Sequence, residues 1–435
     1  MSTENKGRSF GASVLISFGF TGIFTVIALA NSIIVARMVG AEGRGLYALG
    51  VSVLGLLAPF STLGLAHSST WAVGRGKPQS EIVTLNHLWS ACVLLLGGGV
   101  SGGIFWWSGG LPESNRALVA MVAALTIPAS VYAETTRGVL LGRKEVVRYH
   151  LVQAVIVVAL LISNLTLLRL GPRAVLLALS LSYWLPAVGL LLLHVSKVRL
   201  ASFPALEHVS EWVRYGLQTS ATTMFENALL RLDYLLVSPL VGVAAIGLYS
   251  TADQISVILA WGGLIAGRMM LTESANDPTG EASRRKLGLA IRTLLVVVGL
   301  GTVGAAATGW FLIPLVFGEE FSAAYVGLLF LLPSAPIKGC YALISTYLLG
   351  RNAIRPVIIA GGAATLGLVV LSPLAAMRFG WVGVAAAKTL VLVVQMVLTV
   401  RAYEAETGEP IRWMLDGADV AALKNWAQSR LSRRS

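Results

Sequence analysis

The segment VGAEGRGLY, Val39–Tyr47, decides the fold because its pattern returns later in the chain. Val241-Gly242 is followed after four residues by Gly247-Leu248-Tyr249, so both ends of the motif recur at an offset of 202 residues. In each copy the glycines permit positive φ and close helix approach, and the tyrosine suits a membrane interface. We interpret the repeat as a duplicated unit with a tight helix turn at the same place in both halves.

The composition places the chain in a membrane. Of its 435 residues 56% are hydrophobic and only 12% charged, and its mean hydropathy is +0.76. A soluble domain carries roughly a quarter charged residues, so most of this surface must face something other than water. Because a spanning helix needs about 20 residues, we predict an all-α polytopic membrane protein of about twelve spans joined by short loops.

The apolar segments give the positions of these spans. They are Ser9–Ala36, Gly45–Ser68, Ile82–Trp107, Ala117–Tyr132, His150–Leu168, Ala174–Val195, Trp212–Val237, Ala244–Met270, Leu287–Leu315, Phe321–Leu349, Pro356–Met377 and Trp381–Ala402.

The distribution of Lys and Arg predicts the orientation. If the N-terminus is cytoplasmic, most loop Lys and Arg lie on the cytoplasmic side, so we expect both termini there. The net charge of +12 is then a topology signal, and no nucleic-acid partner is expected. Arg37 and Arg44, in the first outer hairpin, are a local exception. Cys92 and Cys340 lie in apolar runs and are expected to be buried thiols.

The repeat also predicts the domain organisation. We expect one six-helix lobe at 1–200 and a second at 201–403. Because each half has an even number of spans, the halves share one orientation and a pseudo-two-fold axis along the membrane normal is expected. The tail 404–435 carries apolar residues at helical spacing, which suits an interfacial helix, although a disordered tail fits nearly as well.

Charged residues inside spans are the candidates for function, because a charge at a helix centre costs about 2.5–3.5 kcal/mol on insertion scales. The seventh span is the most polar and should line a cavity. Arg231, Lys338 and Lys388, with the polar Asn31, Thr222 and Thr223, are candidate substrate ligands, and Glu226, Asp233 and Asp253 are candidates for H⁺ or Na⁺ coupling. No other cofactor and no metal site is expected.

The structural alternative is ion pairing between helices. Lys388 with Asp233, or Arg231 with Asp253, would fix the bundle instead of binding a ligand. Asn31 would likewise serve as a helix–helix hydrogen bond. The residues alone leave both interpretations open.

The segment Ala36–Tyr47, and Arg231-Leu232-Asp233-Tyr234 followed by the second Gly-Leu-Tyr turn, resemble signatures of polysaccharide (O-antigen, Wzx-type) flippases. These belong to the multidrug/oligosaccharidyl-lipid/polysaccharide (MOP) exporter superfamily. The resemblance implies a MATE-like fold of two six-helix lobes. It also implies a multi-pass protein of the bacterial cytoplasmic membrane that translocates an undecaprenyl-pyrophosphate-linked oligosaccharide, with membrane lipids and other polysaccharide-assembly proteins as partners.

The resemblance has departures and alternatives. Peptidoglycan-precursor flippases of the superfamily usually have two further helices and arginines in the first helix, which this chain lacks. A cation-coupled multidrug exporter is the main alternative, with the acidic residues as coupling groups. A membrane polymerase or ligase is disfavoured because every predicted outer loop is short, so we expect a transporter and not an enzyme.

Overall fold

Helices make up all the regular structure in the part of the chain that the computed structural model describes, residues 10–97, 99, 103, 113–195, 206–277 and 279–414. The α-helices are α1 (Phe10–Ser61), α2 (Leu65–Gly74), α3 (Gln79–Cys92), α4 (Glu113–Gly142), α5 (Val146–Leu167), α6 (Ala174–Val195), α7 (Leu206–Val241), α8 (Val243–Ala275), α9 (Glu281–Phe317), α10 (Ala324–Leu331), α11 (Ser334–Gly350) and α12 (Ile354–Thr407). A π-helical turn, Val93–Gly97, continues α3. The all-α prediction is confirmed.

The helix α1 is a hairpin and not one straight rod. It passes through Gly40 in a non-helical conformation, with φ 65° and ψ −166°. The Asn31 Nδ2 lies 3.3 Å from the Tyr47 hydroxyl, whereas 16 residues of straight helix would separate them by about 24 Å. The two arms therefore lie side by side, and the first copy of the motif forms the predicted turn.

The helix α12 folds back in the same way. Its turn is Gly380, with φ 61° and ψ −155°. A Cβ built at Gly367 would lie 3.3 Å from a Val391 methyl group, although the two residues are far apart along the helix. Like α1, α12 therefore contributes two passes.

Six of the described helices are long and apolar enough to cross a membrane, or seven if α10 and α11 are counted as one bent span. The hairpins α1 and α12 each count once in that number. The count of twelve spans stays a prediction, and the end of the predicted third span, up to Trp107, lies outside the described residues.

Two predicted spans are interrupted. The span predicted as Gly45–Ser68 breaks after Ser61, where Leu63 and Gly64 have φ of 47° and 72°. The continuous-helix prediction failed because the chain turns there to approach α7 at Gly216. The predicted tenth span bends by 40° between α10 and α11, at Pro333, because proline lacks the N–H that would continue the helical hydrogen bonds.

The helices pack as two sets, and the contacts between the sets are confined to a few helices. Helices α1–α6 pack on one another, as do α7–α12, and contacts between the two sets come mainly from α1 and α2 against α7, α8 and α9. Leu46, Leu49 and Ile246 are fully buried in an apolar cluster shared by both sets. The end of the molecule that carries the two Gly-Leu-Tyr turns is called the turn end, and the other end is called the opposite end.

Candidate functional site

The two copies of the motif pack against each other at the turn end. A Cβ at Gly45 would lie 1.9 Å from the Val243 carbonyl oxygen, and a Cβ at Gly247 would lie 2.1 Å from that of Ala41. Both pairs are related by the repeat offset, so each motif presents its glycine to the backbone of the other. The predicted close approach is confirmed, and the seam it forms is locally two-fold. We call this contact the glycine seam.

Polar contacts from the first hairpin surround the glycine seam. Arg44 is 4% exposed and donates to the Gln254 side-chain oxygen at 2.6 Å, which also accepts from the Ser32 hydroxyl at 2.6 Å. Arg37 donates to the Val316 carbonyl at 2.9 Å. Each bond joins the first half of the chain to the second. The exceptional charges of this hairpin therefore serve contacts within the protein.

A cavity of about 350 Å³ lies between the halves, on the opposite-end side of the glycine seam. Its walls come from α1, α2, α4, α6 and α7. The lining residues are Val51, Leu54, Gly55, Ala58, Pro59, Thr62, Ala66, His67, Ser130, Glu134, Leu179, Tyr183, Ser220, Asn227 and Arg231.

Arg231 is the candidate ligand that faces this cavity. Its side chain packs on Gly55, where a Cβ would lie 3.2 Å from Nε. No carboxylate in the described part of the chain is within ion-pair distance of its guanidinium. The buried Ser220 hydroxyl on the same helix lacks a hydrogen-bond partner among the described residues. The cavity thus offers a guanidinium and hydroxyl groups to a polar, anionic ligand.

Four other charged candidates form a separate buried cluster, here the Asp–Lys tetrad. The Lys388 ammonium lies 2.9 Å from Asp233 and 3.0 Å from Asp253, and the Lys338 ammonium lies 3.2 Å from Asp253. Side-chain exposure is 9% or less for all four. Two positive and two negative charges balance, as burial in low dielectric requires.

Two tyrosines complete the tetrad. The Tyr234 hydroxyl donates to Asp253 at 2.8 Å, and the Tyr249 hydroxyl donates to Asp233. Tyr249 belongs to the second copy of the motif. The motif thus contributes both a turn and a hydrogen bond to a buried carboxylate.

The first half contains the equivalent site in uncharged form. Asn31 lies 202 residues before Asp233, and its amide contacts Tyr47, the counterpart of Tyr249. The Asn164 amide donates to the Asn31 side-chain oxygen at 2.7 Å. Asn31 is 1% exposed, which fits the helix–helix hydrogen bond considered from the sequence.

The halves also touch at the opposite end, where α2 meets α7. A Cβ at Gly64 would lie 2.1 Å from the Gly216 carbonyl oxygen, and Trp71 stacks on Tyr215 with ring centroids 4.8 Å apart. The His208 ring lies 2.9 Å from the Glu81 carboxylate. The glycine seam and the contact between α2 and α7 therefore bound the cavity at its two ends.

The sequence matches the model of the family described as "Polysaccharide biosynthesis protein" over residues 10–265. The chain belongs to this polysaccharide biosynthesis family. A search of curated proteins found no match. The resemblance to a polysaccharide family is thereby confirmed, and the long apolar helices of this family member are those of a multi-pass membrane protein.

Solved structures show the same fold at low sequence identity. "Lipid II flippase MurJ, inward closed conformation" aligns with TM-score 0.74 and 14% identity, covering 91% of this chain and 88% of that one. An inward-facing MATE family multidrug resistance transporter aligns with TM-score 0.69, 14% identity and coverages of 89% and 96%. A MOP superfamily transporter from Pyrococcus furiosus gives TM-score 0.57, 15% identity and coverages of 90% and 92%.

In this family member the sequence candidates divide into three groups. Arg231 lines the cavity, whereas Lys338 and Lys388 join the tetrad. Glu226 lies exposed on α7 and, like Asn31, is not among the described residues that line the cavity. The side chains of Thr222 and Thr223 lie outside the described residues. The substrate and coupling roles assigned to these residues stay predictions.

Several polar residues of the cavity were not among the sequence candidates, and Glu134, Tyr183 and His67 are the titratable ones. Glu134 lies just beyond the predicted end of the fourth span, at Tyr132, and so belonged to a loop in that prediction. In the structure α4 continues to Gly142 and carries Glu134 into the wall. The sequence signal that could have extended this helix is the spacing of three residues between Glu134 and Arg137, which is typical of an ion pair on a helix.

Proposed function

We propose that this chain is a flippase that moves an undecaprenyl-pyrophosphate-linked oligosaccharide across the bacterial cytoplasmic membrane. The supporting observation is Arg231, a guanidinium without a carboxylate partner among the described residues, facing a polar cavity between the halves. Guanidinium binds phosphate oxygens bidentately and remains charged at any physiological pH. Such a group suits the pyrophosphate, the one anionic feature that every substrate of this class carries.

The remaining cavity groups suit the sugars. A sugar hydroxyl left unpaired in hydrocarbon costs several kcal/mol. Ser130, Tyr183 and Ser220 line the cavity and offer hydroxyl groups to such a ligand. The polyprenyl chain stays in lipid and leaves the cavity between the halves, beside the arms of α1 and α7.

Transport proceeds by alternating access in this proposal. With both termini cytoplasmic, the turn end is the outer end and the cavity lies on the cytoplasmic side of the glycine seam. Opening of the seam, together with rocking of the two halves, would expose Arg231 to the outside. H⁺ or Na⁺ coupling is assigned to Glu226, Asp233 or Asp253, of which Glu226 is the exposed one.

Lys338 and Lys388 were predicted to bind the substrate together with Arg231. In this conformation their ammonium groups bind Asp233 and Asp253. A role in substrate binding therefore requires that the tetrad rearrange during the cycle. The structural alternative needs no rearrangement, and the two are separated by mutation.

The decisive experiment removes the cavity charge. Arg231→Gln, expressed in the native host, should reduce surface polysaccharide strongly at unchanged membrane protein level. Arg378→Gln is the matched control, because this exposed arginine lies outside the cavity lining. Normal polysaccharide in the Arg231 variant would contradict the proposed function.

A second measurement concerns the lysines. Lys338→Gln with Lys388→Gln should lower surface polysaccharide at normal protein level if the lysines bind substrate. Loss of the protein itself would show that the tetrad is structural. Normal polysaccharide with both lysines gone would remove them from the transport mechanism.

A further inference from the structure

Glu134 is the carboxylate that shares the described cavity lining with Arg231. It accepts from the Arg137 guanidinium at 2.5 Å, and the side chain of Glu134 is 42% exposed while that of Arg137 is 11% exposed. The Glu134 group thus stands between the open cavity and a nearly buried guanidinium.

Arg137 has binding capacity that the protein does not use. The residue is 9% exposed, and its Nε–H has no acceptor among the described residues. The guanidinium lies over the Tyr149 ring at 4.4 Å from the centroid, which fixes its plane. A buried donor without an acceptor is costly, so an anion that displaced Glu134 and reached this N–H would be bound favourably.

The groups around Glu134 come from three helices of the cavity wall, α2, α4 and α6. His67 of α2 and Tyr183 of α6 are both within electrostatic range of its carboxylate. Tyr183 also lies within range of Arg137 and Arg231. An anion bound at the tyrosine hydroxyl would therefore lie within electrostatic range of both guanidiniums.

We propose that Glu134 is a stand-in anion, which neutralises Arg137 in the empty cavity and yields it to the substrate pyrophosphate on taking up a proton. This rests on the proposed function. The two guanidiniums and one carboxylate give the empty site one positive charge. A pyrophosphate diester brings two negative charges, so the loaded site is neutral only when Glu134 is protonated.

The consequence is linkage between substrate and proton. A negative ligand near Glu134 favours the neutral carboxyl, and by reciprocity the protonated site binds the anion more tightly. The sign is fixed: affinity for a pyrophosphate should rise as pH falls. Protonation of His67 acts in the same direction, so its contribution must be separated.

The test measures binding of farnesyl pyrophosphate to the purified full-length protein in nanodiscs between pH 5.5 and 8. Wild type should bind more tightly at low pH. Glu134→Gln should bind about tenfold more tightly than wild type at pH 7.5, and the difference should narrow as the pH is lowered to 5.5. Comparison at each pH cancels the ionisation of the probe, and repetition in a His67→Gln background removes the histidine. If glutamine is not tolerated, Glu134→Ala removes the same charge and carries the same expectation.

Glu145→Gln is the matched control. Glu145 pairs with Arg148 at the same spacing, with 2.8 Å between the charged atoms, but lies outside the described cavity lining. Its affinity should equal that of wild type at every pH. In the Glu134→Gln background, Arg137→Gln should abolish the gain, because the released guanidinium is its source.

The outcomes separate the two proposals. Equal affinity of wild type and Glu134→Gln at every pH, with binding lost in Arg231→Gln, overturns the stand-in role and leaves the flippase function intact. Unchanged binding in Arg231→Gln overturns the cavity site on which both depend. Failure of wild type and Glu134→Gln alike to bind the probe also overturns both.

Discussion

Asn31 and Asp233 hold the same position in the two halves of the chain, and each contacts the tyrosine of its own Gly-Leu-Tyr turn. In the first half the partner set is neutral, with Asn164 as the second amide. In the second half a carboxylate has required a lysine, and Lys388 supplies it at 2.9 Å. The difference shows how one buried hydrogen-bond site becomes an ion-pair cluster once a charge enters a low-dielectric core.

Removing the lysine should have the largest effect on this comparison. Lys388→Met leaves Asp233 without its cation and Asp253 with Lys338 alone. Breaking a buried pair from one side costs about 3–5 kcal/mol, which should appear in denaturant unfolding of the detergent-solubilised protein. Adding Asp233→Asn restores neutrality and recreates the amide of the first half. Stability of the single variant close to wild type would contradict the pairing.

The reciprocal change converts the first half toward the second. Asn31→Asp places a carboxylate beside Asn164 and Tyr47 without a lysine, and should cost about 3 kcal/mol. Arg44, whose guanidinium lies 5.6 Å from the Tyr47 ring centre, offsets part of this. Thermal unfolding compared with Asn31→Ala isolates the charge, since both variants lose the amide. An aspartate variant as stable as the alanine variant would mean that the site tolerates charge unaided.

The glycine seam should respond equally from both sides. Gly45→Ala and Gly247→Ala each force a methyl group against a carbonyl oxygen of the other motif, and each should cost about 1–3 kcal/mol. Gly304→Ala is the control, since a Cβ there meets nothing within 4 Å. Thermal unfolding measures all three. A large effect from one seam glycine alone would contradict the two-fold character of the contact.

The smallest effect distinguishes the two tyrosines. A hydrogen bond to a charged group contributes about 1.5–3 kcal/mol, and a neutral one about 0.5–1.5. Tyr249→Phe should therefore destabilise the protein about 1 kcal/mol more than Tyr47→Phe does. The difference should shrink when both are measured in an Asp233→Asn, Lys388→Met background. Equal losses in wild type would show that the charge of Asp233 does not reach its tyrosine.

The turns were predictable because glycine in a repeated motif leaves few structural options. Gly40 adopts positive φ, and Gly45 and Gly247 meet carbonyl groups as their residue type suggests. The break at Gly64 was not predictable, because it depends on contact with Gly216, which no local pattern encodes. Apolar periodicity predicts a span here but does not indicate that the span is interrupted.

The site was predictable in its residues and not in their grouping. The pairing of Lys388 with Asp233 was one of the alternatives considered, and the structure places the two charged groups 2.9 Å apart. Which side of a helix faces the cavity depends on how ten or more helices pack, so Arg231 and Lys388 were indistinguishable as candidates. Glu134 was missed because hydropathy ended its helix too early.

The reciprocity of the glycine seam bears on how such a chain arises. In an isologous contact the same patch serves both partners, so a single polypeptide with this motif would carry the surface needed for this contact with a second copy. Fusion of two copies of the gene would keep the contact, and the two copies would then no longer need to have the same sequence. Val243 and Ala41 already differ across the seam, and Asn31 and Asp233 show the same freedom deeper in the bundle. A reciprocal contact of this kind would let both halves keep the seam while their other side chains diverge.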